Sequence, residues 1–482
     1  MFGQAYLYIN ILLLPIAEVL KVPVQGLKIL ISLLLLYPLA AGYKWVHSSS
    51  YKNHDLACNV YMGGAGLVLG WFCIGGDMKY CIYSSIVTFS TLNLASFLYP
   101  KNEFCKQLCF YLTIFNFAFN FAYLLLLYAW FETSEYDIDI TLLQSLLCLR
   151  NISIVIDMYD YNWGRFTPST PQSFVRLPTI DAFMGYSYCC FTLLVGPSII
   201  YNSYHSIVTD KATNQDLNKR SLHSFFLGSI YLAGYQIFSI LTPCSFALTD
   251  QFASKGLAYK LAYLMISGRT VLMKYFGVWI LVEGASFLGG NSFCTTDEKS
   301  GEVVSRLMNF RLSLFESSSG FREIVDSFNI KTNAFGKQYI FKRCAIFKKK
   351  WLSMVLTLSF LCIWHGFHYG YYHCFAAEFL LLLIDDNIRI LALNPKLNAL
   401  MASVPTIFKA LMLHFIVYIF FVSFELMTFS KTLTILKSVY FLPVFILLFG
   451  LILSNYLVKT TSKESLTDGA KNSCQPVKPH SS

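Results

Sequence analysis

Residues 352–372 read LSMVLTLSFLCIWHGFHYGYY and place a histidine, His365, inside a run of apolar side chains. Burying a histidine in hydrocarbon is costly, and an ionisable residue at that depth is a candidate for function. His368 and Tyr369 follow His365 by three and four residues, a spacing that predicts one shared helix face. The segment therefore predicts chemistry carried out inside a lipid bilayer.

The composition of the whole chain is that of a membrane protein. Of its 482 residues, 55% are hydrophobic and only 13% are charged, with a mean hydropathy of +0.52. Soluble proteins carry about 25% charged residues, so a soluble protein is excluded. Only helices and closed barrels span hydrocarbon, and recurring apolar runs of about 20 residues favour helices. The predicted fold class is all-α, a polytopic bundle of transmembrane helices.

Eleven or twelve membrane spans are expected, and an opening stretch, Ala5–Leu20, is expected to lie in the interface or to re-enter. That stretch has no basic n-region, so we expect no removed signal peptide. Residues 1–458 are predicted to form one transmembrane domain and residues 459–482 a flexible polar tail. The expected spans are Leu27–Tyr43, Val60–Ile74, Ile82–Leu98, Leu108–Phe131, Ile140–Ile156, Ala182–Ile200, Phe225–Leu241, Leu261–Leu288, Leu352–Tyr372, Phe375–Leu393, Ile407–Phe429 and Val439–Leu457.

The formal charge of +10 is concentrated in part between residues 337 and 350, a stretch without acidic residues. One interpretation is a cytoplasmic loop that obeys the positive-inside rule. The other is a site for an anionic, phosphate-bearing ligand, and the two are compatible because a cytosolic co-substrate enters from that side. Nucleic acid is excluded as a partner because no soluble basic domain is present. The basic residues are Lys337, Lys342, Arg343, Lys348, Lys349 and Lys350.

Other polar features of the spans have structural explanations. The fourteen cysteines lack the spacing of a zinc site, so no metal is expected. Gly366 and Gly370 form a GxxxG pair, which is typical of a close helix-packing face. The ionisable residues in or near the spans are expected to pair within the bundle. They are Glu283, Glu378, Asp385, Asp386, Arg389 and Glu425, whereas Arg150, Asp157 and Asp160 are expected to form an internal polar network, with contact to a lipid head group as the alternative.

An asparagine, Asn329, lies 36 residues before His365 in the stretch SFNIKTN, residues 327–333. A carboxamide can donate a hydrogen bond to a developing oxyanion. A histidine, with an ordinary pKa of about 6.5, can accept and return a proton. Together they predict acyl transfer from a thioester to an alcohol, with His365 removing the hydroxyl proton. Taken singly, each residue has a simpler explanation, as a helix-bridging histidine and as a turn-forming asparagine.

Several motifs in order, between about residues 145 and 380, resemble the membrane-bound O-acyltransferase family. The resemblance is closest to its lysophospholipid acyltransferase branch, particularly the lysophosphatidylcholine acyltransferases. Phe335 stands where a tryptophan is expected, and Cys189–Cys190 also depart from the pattern, which leaves acyl-chain and head-group preference open. The motifs are WHGFHYGY at 364–371, SFNIKTNA at 327–334, YIFKR at 339–343, GYSY at 185–188, VGP at 195–197, DMYD at 157–160, Lys274-Tyr275 and Glu283-Gly284.

The resemblance implies about eleven transmembrane helices enclosing a catalytic chamber, in which His365 is the base and Asn329 faces it. Acyl-CoA would enter as co-substrate from the cytosol and the lysophospholipid from the membrane, with no bound cofactor and no metal. The substrate-binding residues would be Trp364, His368, Tyr369, Tyr372 and Asn333, and Lys342 and Arg343 would bind acyl-CoA.

The implied function is re-esterification of the sn-2 hydroxyl of lysophospholipids, above all lysophosphatidylcholine and also its ethanolamine and serine counterparts, in phospholipid remodelling. The implied location is the endoplasmic reticulum membrane, with acyl-CoA, lysophospholipid and membrane lipids as partners and a homodimer left open. One alternative is a relative that acylates a protein or a sterol. Another is a transporter whose histidine relays protons, although no duplicated halves are evident.

Overall fold

Long apolar helices form most of the protein. The computed structural model describes residues 2–49, 51–98, 102–133, 139–163, 177–210, 217–297 and 301–473. One short antiparallel hairpin in these ranges pairs β1 (Cys294–Thr296) with β2 (Val303–Ser305). The helices are α1 (Phe2–Leu20), α2 (Val24–Ser48), α3 (His54–Ile74), α4 (Met78–Leu98), α5 (Glu103–Phe131), α6 (Ile140–Trp163), α7 (Ile180–Ser187), α8 (Tyr201–Thr209), α9 (Asn218–Leu241), α10 (Asp250–Ala253), α11 (Leu257–Gly289), α12 (Leu312–Ser317), α13 (Phe321–Ser327), α14 (Ile330–Phe335), α15 (Lys342–Cys344), α16 (Lys350–Trp364), α17 (Tyr369–Leu391), α18 (Pro395–Ser403), α19 (Thr406–Leu426), α20 (Phe429–Ser438) and α21 (Leu442–Ser473).

The helical, polytopic fold class predicted from composition is confirmed. Among the described residues, nine segments are long and apolar enough to cross a membrane. The number is lower than eleven or twelve partly because α3 and α4 count as one segment, and because α17 carries four charged residues. The nine are Gly3–Leu20, Val24–Ser48, His54–Leu98, Glu103–Phe131, Ile140–Asn162, Asn218–Leu248, Leu257–Gly289, Thr406–Leu426 and Leu442–Thr461.

The span expected at Ala182–Ile200 is wrong. Helix α7 ends at Ser187, and residues 188–200 are mostly buried but not helical. Irregular backbone inside a membrane protein needs hydrogen-bond partners from the protein itself. The fully buried Arg150 of α6 supplies them, because its guanidinium donates to the carbonyls of Ser187 at 2.7 Å and Thr192 at 2.6 Å. An apolar run does not reveal such a partner, so the sequence favoured a helix.

The continuous helix expected over Leu352–Tyr372 is also wrong. Helix α16 ends at Trp364 and α17 begins at Tyr369. Gly366 has φ of 119°, a value that side-chain-bearing residues rarely adopt, and this glycine ends the helical path. His365, His368 and Tyr369 therefore do not share one helix face, and Gly366 and Gly370 do not form a single helical pair.

The chain divides into two compact units. Unit 1 comprises Met1–Ile240, Thr270–Arg311 and Phe328–Phe367, and unit 2 comprises Leu241–Arg269, Leu312–Ser327 and His368–Ser482. Helix α21 continues without interruption to Ser473, so no break marks the expected boundary after residue 458. The remainder of the predicted tail lies outside the described residues, and that boundary stays a prediction.

Unit 1 depends on close helix contacts made at glycines. Helix α3 crosses the α7 region where a Cβ added to Gly66 would stand 1.6 Å from the carbonyl oxygen of Tyr188. A Cβ on Gly63 would lie 3.1 Å from the carbonyl oxygen of Met184. Small residues of this kind let backbones approach closely within a membrane bundle.

Unit 2 uses the same device together with ion pairs. Gly370 of α17 lies where an added Cβ would be 2.0 Å from the carbonyl oxygen of Ser423 in α19. Asp385 of α17 pairs with Arg389 at 2.9 Å and accepts a hydrogen bond from the backbone N–H of Phe321 at 3.0 Å. The expected pairing of ionisable residues within the bundle is thus present for Asp385 and Arg389.

The contact at Gly66 predicts a large effect of a single methyl group. Gly66→Ala should lower the free energy of unfolding by about 1–3 kcal/mol, because the backbone of residue 188 must move. Gly64→Ala is the matched control on the same helix, since nothing lies within 4 Å of its Cβ position. Thermal unfolding in detergent measures both, and equal midpoints for the two variants would contradict the contact.

Candidate functional site

Residues 330–364 form a helical hairpin in unit 1. Its first arm runs through α14, a π-helical turn (Gly336–Phe341) and α15, and its second arm is α16. A Cβ on Gly336 would lie 3.2 Å from side-chain atoms of both Thr357 and Leu361. The rings of Phe335 and Phe360 stack with centroids 5.9 Å apart. The middle of one arm therefore packs on the middle of the other.

This register brings Asn329 and His365 to the same end of the hairpin. Asn329 immediately precedes the first arm, seven residues before Gly336, and His365 immediately follows the second arm, four residues after Leu361. At a rise of about 1.5 Å per residue, both lie about 6–12 Å beyond the shared contact. Two residues that are 36 positions apart in the sequence thus lie at the same end of the hairpin.

Asn329 is held in an unusual conformation by a second asparagine. Its backbone is left-handed, with φ of 51° and ψ of 43°. Asparagine tolerates this region better than most residues. The buried Asn309 accepts the backbone N–H of Ile330 on its carbonyl at 3.1 Å and that of Lys331 on its Oδ1 at 2.8 Å. The backbone carbonyl and the side chain of Asn309 therefore hold the turn in place.

Asn309 also orients the carboxamide of Asn329. Its Nδ2 donates to Oδ1 of Asn329 at 3.3 Å. The oxygen of the Asn329 amide is thereby engaged by the protein, which leaves its Nδ2 as the donor of this side chain. Next to this turn, an isolated antiparallel β-bridge pairs the backbones of Phe310 and Phe328. The arrangement is suited to stabilising negative charge on an oxygen.

His365 lies in the break between α16 and α17. Its backbone N–H still bonds to the carbonyls of Leu361 and Cys362, at 3.2 and 3.1 Å, so the residue closes the last turn. Its half-buried ring stands edge-on to Trp364, with centroids 4.7 Å apart. A ring at a helix terminus is not confined to one helical face, and it can be directed toward a neighbouring group.

Three groups from α5, its C-terminal end and α6 hold this break. The Trp364 indole N–H donates to the Ser145 carbonyl at 2.9 Å, and the Tyr128 hydroxyl donates to the Trp364 carbonyl at 2.9 Å. The Glu132 carboxylate accepts the backbone N–H of Phe367 at 3.2 and 3.3 Å. Burial raises the pKa of Glu132, and the hydrogen bond from Phe367 opposes that rise.

Two links tie the hairpin to α6. The Tyr339 hydroxyl donates to Asp157 at 2.7 Å, and Arg343 forms an ion pair with Asp160 at 2.5 Å. Burial raises the pKa of Tyr339 well above its usual value, so the phenol stays protonated as a donor. Asp157 and Asp160 thus have polar partners from the YIFKR motif, whereas Arg150, which was expected in the same network, donates to the Ser187 and Thr192 carbonyls instead.

The other predicted site residues in unit 1 occupy varied positions. Trp364 is buried and donates to the Ser145 carbonyl, and Asn333 donates to the Phe328 carbonyl at 2.9 Å. Arg343 is engaged by Asp160, whereas Lys342 is exposed. Their roles in substrate and acyl-CoA binding stay predictions.

Three further predicted residues belong to unit 2. The ring of Tyr369 stands edge-on to Phe429, with centroids 4.8 Å apart. His368 stands edge-on to Tyr371 at 5.7 Å, and Tyr372 is exposed at the start of α17. These contacts leave their predicted part in substrate binding untested.

A small cavity in unit 1 lies apart from these residues. No predicted site residue lines it. The predicted catalytic chamber stays a prediction. In the described part of the chain, no group of three or more acidic, histidine or cysteine side chains is arranged to hold a metal. The cavity is lined by Ala95, Cys109, Thr113, Val155, Met158, Tyr159 and Asn162.

Sequence reasoning missed Asn309, Glu132 and Tyr128. Glu132 and Tyr128 act on a segment more than 230 residues away, so no local spacing reveals them. Asn309 has a weak signal, since it stands between Met308 and Phe310 in an apolar context.

Comparisons with known proteins agree on one family. A family model described as membrane-bound O-acyltransferase matches residues 125–428, which include Asn329 and His365. Relatives named lysophospholipid acyltransferase 5 from Homo sapiens and Mus musculus are 31% and 30% identical, over 87% of this chain and 86% of each relative. A Rattus norvegicus protein named membrane-bound glycerophospholipid O-acyltransferase 2 is 21% identical over 78% of this chain and 74% of its own.

The bond between Glu132 and Phe367 predicts a graded response. Glu132→Ala should lower the free energy of unfolding by about 0.5–1.5 kcal/mol, because it removes the acceptor of the Phe367 N–H. Glu132→Gln keeps an acceptor oxygen and resembles the neutral acid, so most of the stability should remain. Thermal unfolding and proteolysis near residue 367 measure the difference, and indistinguishable variants would refute the role of the carboxylate.

Proposed function

Because the chain belongs to the membrane-bound O-acyltransferase family, we propose that it transfers an acyl group from acyl-CoA to the sn-2 hydroxyl of a lysophospholipid. The chain is a multi-pass membrane O-acyltransferase, and the transporter interpretation is set aside. The names of its relatives support a lysophospholipid acceptor. We propose lysophosphatidylcholine as the main acceptor, with ethanolamine and serine forms as further ones, and the endoplasmic reticulum membrane as the location.

The observation that carries the proposal is the shared hairpin end of Asn329 and His365. In the proposed reaction the imidazole of His365 removes the proton of the sn-2 hydroxyl as its oxygen attacks the thioester carbon. The carbonyl oxygen becomes an oxyanion, the carbon–sulfur bond breaks, and the CoA thiolate leaves. The proton held by His365 passes to that thiolate, so no other reactant is required.

Asn329 stabilises the oxyanion in this scheme. Its Nδ2 is the donor left over once Asn309 engages its Oδ1 at 3.3 Å. A donor fixed in advance costs no reorganisation at the moment of reaction, and losing one such donor typically lowers kcat by about 100–1,000-fold. Holding both substrates against the same pair also replaces much of the entropic barrier of a two-substrate step.

Acyl-CoA carries phosphates, and we propose that they bind Lys342, one of several exposed lysines of the hairpin. Arg343 is proposed to act beside it, although its ion pair with Asp160 also fixes the hairpin on α6. Trp364, Asn333, His368, Tyr369 and Tyr372 are kept as proposed contacts of the substrates.

His365→Ala should abolish acyl transfer while the protein still folds, because no other group then removes the hydroxyl proton. The measurement is product formation from labelled acyl-CoA with lysophosphatidylcholine, lysophosphatidylethanolamine and lysophosphatidylserine, together with thermal unfolding. His223→Ala, at an exposed histidine of α9, is the matched control and should remain active.

Two outcomes would overturn the proposal. Full activity of His365→Ala removes the mechanism. A wild-type protein that acylates a peptide or a sterol but none of the lysophospholipids turns the assignment to the other branches of the family.

Asn309 gives a second test that does not touch the proposed reacting groups. Asn309→Asp keeps the acceptor for the Lys331 N–H but loses the donor to Asn329, so we expect kcat to fall at least about tenfold. The KM of acyl-CoA should change little, which separates orientation of Asn329 from loss of binding. An unchanged kcat in a folded variant would argue that Asn309 has only a structural part.

A further inference from the structure

A lysine and a glutamate near Asn329 have no use in the scheme above. Lys331 follows Asn329 by two residues, and Glu283 lies near the end of α11. In the part of the chain that the structure describes, neither the Lys331 ammonium nor the Glu283 carboxylate has a hydrogen-bond or ion-pair partner. Both side chains are only partly exposed. The expected pairing within the bundle is therefore absent for Glu283.

An aromatic contact places the two residues in one neighbourhood. Trp279 precedes Glu283 by four residues on α11 and so lies on the same helix face. Its ring packs on Phe328 with centroids 5.1 Å apart, and Phe328 precedes Lys331 by three residues. The Glu283 face of α11 thus borders the turn that carries Asn329 and Lys331.

Two of the surrounding arginines are paired with acidic residues, and a third, Arg220, which acts on Glu283, donates to the Val303 carbonyl. Arg306 forms an ion pair with Asp210 at 2.6 Å, and Arg311 pairs with Asp297. Burial lowers the pKa of Lys331 to about 8, with Arg306 and Arg311 adding to the effect and Glu283 opposing it. Lys331 therefore remains mostly protonated at neutral pH, and an anion beside it would relieve an unfavourable arrangement.

We propose that Lys331 and Glu283 form a head-group subsite, in which the Lys331 ammonium binds the substrate's phosphate and the Glu283 carboxylate binds its quaternary or primary ammonium. The ligand class is a zwitterionic lysophospholipid. The inference rests on the proposed function, because it takes the sn-2 hydroxyl to lie at Asn329 and His365.

The order of charges along the chain matches the order along the substrate. In a lysophospholipid, the phosphate is a few covalent bonds from the sn-2 hydroxyl, and the head-group nitrogen is a few bonds farther. Lys331 is fixed beside Asn329, since both are held by Asn309, at 2.8 and 3.3 Å. Glu283 comes from a different helix, so it can meet the far end of the head group.

The test compares head groups in the full-length protein in nanodiscs. Lysophosphatidylcholine carries both charges, and lysophosphatidylglycerol with the same acyl chain carries the phosphate alone. Lys331→Met should raise the KM of both lipids about tenfold, the effect expected for losing a hydrogen bond between charged groups. Glu283→Gln should raise the KM of lysophosphatidylcholine similarly and leave that of lysophosphatidylglycerol unchanged or lower. The KM of acyl-CoA should stay constant in both variants.

Matched variants separate charge from fold. Lys331→Arg keeps the cation and should retain most of the affinity, while Lys396→Met and Glu103→Gln remove exposed charges in α18 and α5 and should have no effect. Thermal unfolding of each variant shows whether it is folded.

The outcomes distinguish this inference from the proposed function. If the wild type acylates lysophospholipids but Glu283→Gln raises both KM values equally, the subsite is refuted and the acyl transfer stands. A rise in the KM of acyl-CoA in Lys331→Met assigns the lysine to the CoA phosphates and also overturns the subsite. A wild type without any lysophospholipid product fails the proposed function itself.

Discussion

The structure depends on the rule that hydrocarbon offers no hydrogen bond to an exposed peptide group, so every break in a buried helix needs a partner from the protein. Three such breaks occur in unit 1, and in each a side chain from another part of the chain bonds the irregular backbone. Arg150 serves the irregular stretch after α7, Asn309 serves the turn at Asn329, and Glu132 serves the residue after Gly366. Because of these breaks, polar residues can leave the regular helical positions. The bonding side chains then hold the irregular backbone in place.

The helical hairpin combines two of these breaks, at Asn329 and at His365, in one element. Asn329 and His365 stand at the two open ends of its arms, where neither side chain is confined to a helix face. The bonds from Tyr339 to Asp157 and from Arg343 to Asp160 hold the hairpin on α6. The proposed reaction joins two amphiphilic substrates and needs its reacting groups at a fixed depth. Anchoring both of them through one hairpin gives a single element that sets that depth.

The sequence predicted the class of fold because composition and the length of apolar runs are sufficient for it, and its ordered motifs identified the family. It predicted a helix over Ala182–Ile200 and through His365, and both predictions were wrong for the same reason. Apolar composition shows that a segment is buried, but the choice between helix and irregular backbone depends on distant partners such as Arg150 and Glu132. A glycine directly after His365 was the one local sign of the break. The bond from Asn309 to Asn329 spans only 20 residues, yet it has no periodic pattern by which it could be recognised.

The turn at Asn329 also bears on how long the carboxamide survives. An asparagine side chain is lost by deamidation when the nitrogen of the next residue attacks its carbonyl carbon and closes a succinimide ring. Here that nitrogen belongs to Ile330, whose branched side chain crowds the approach, and its hydrogen is held by the Asn309 carbonyl at 3.1 Å. The bond that shapes the turn thus also protects the amide against chemical loss.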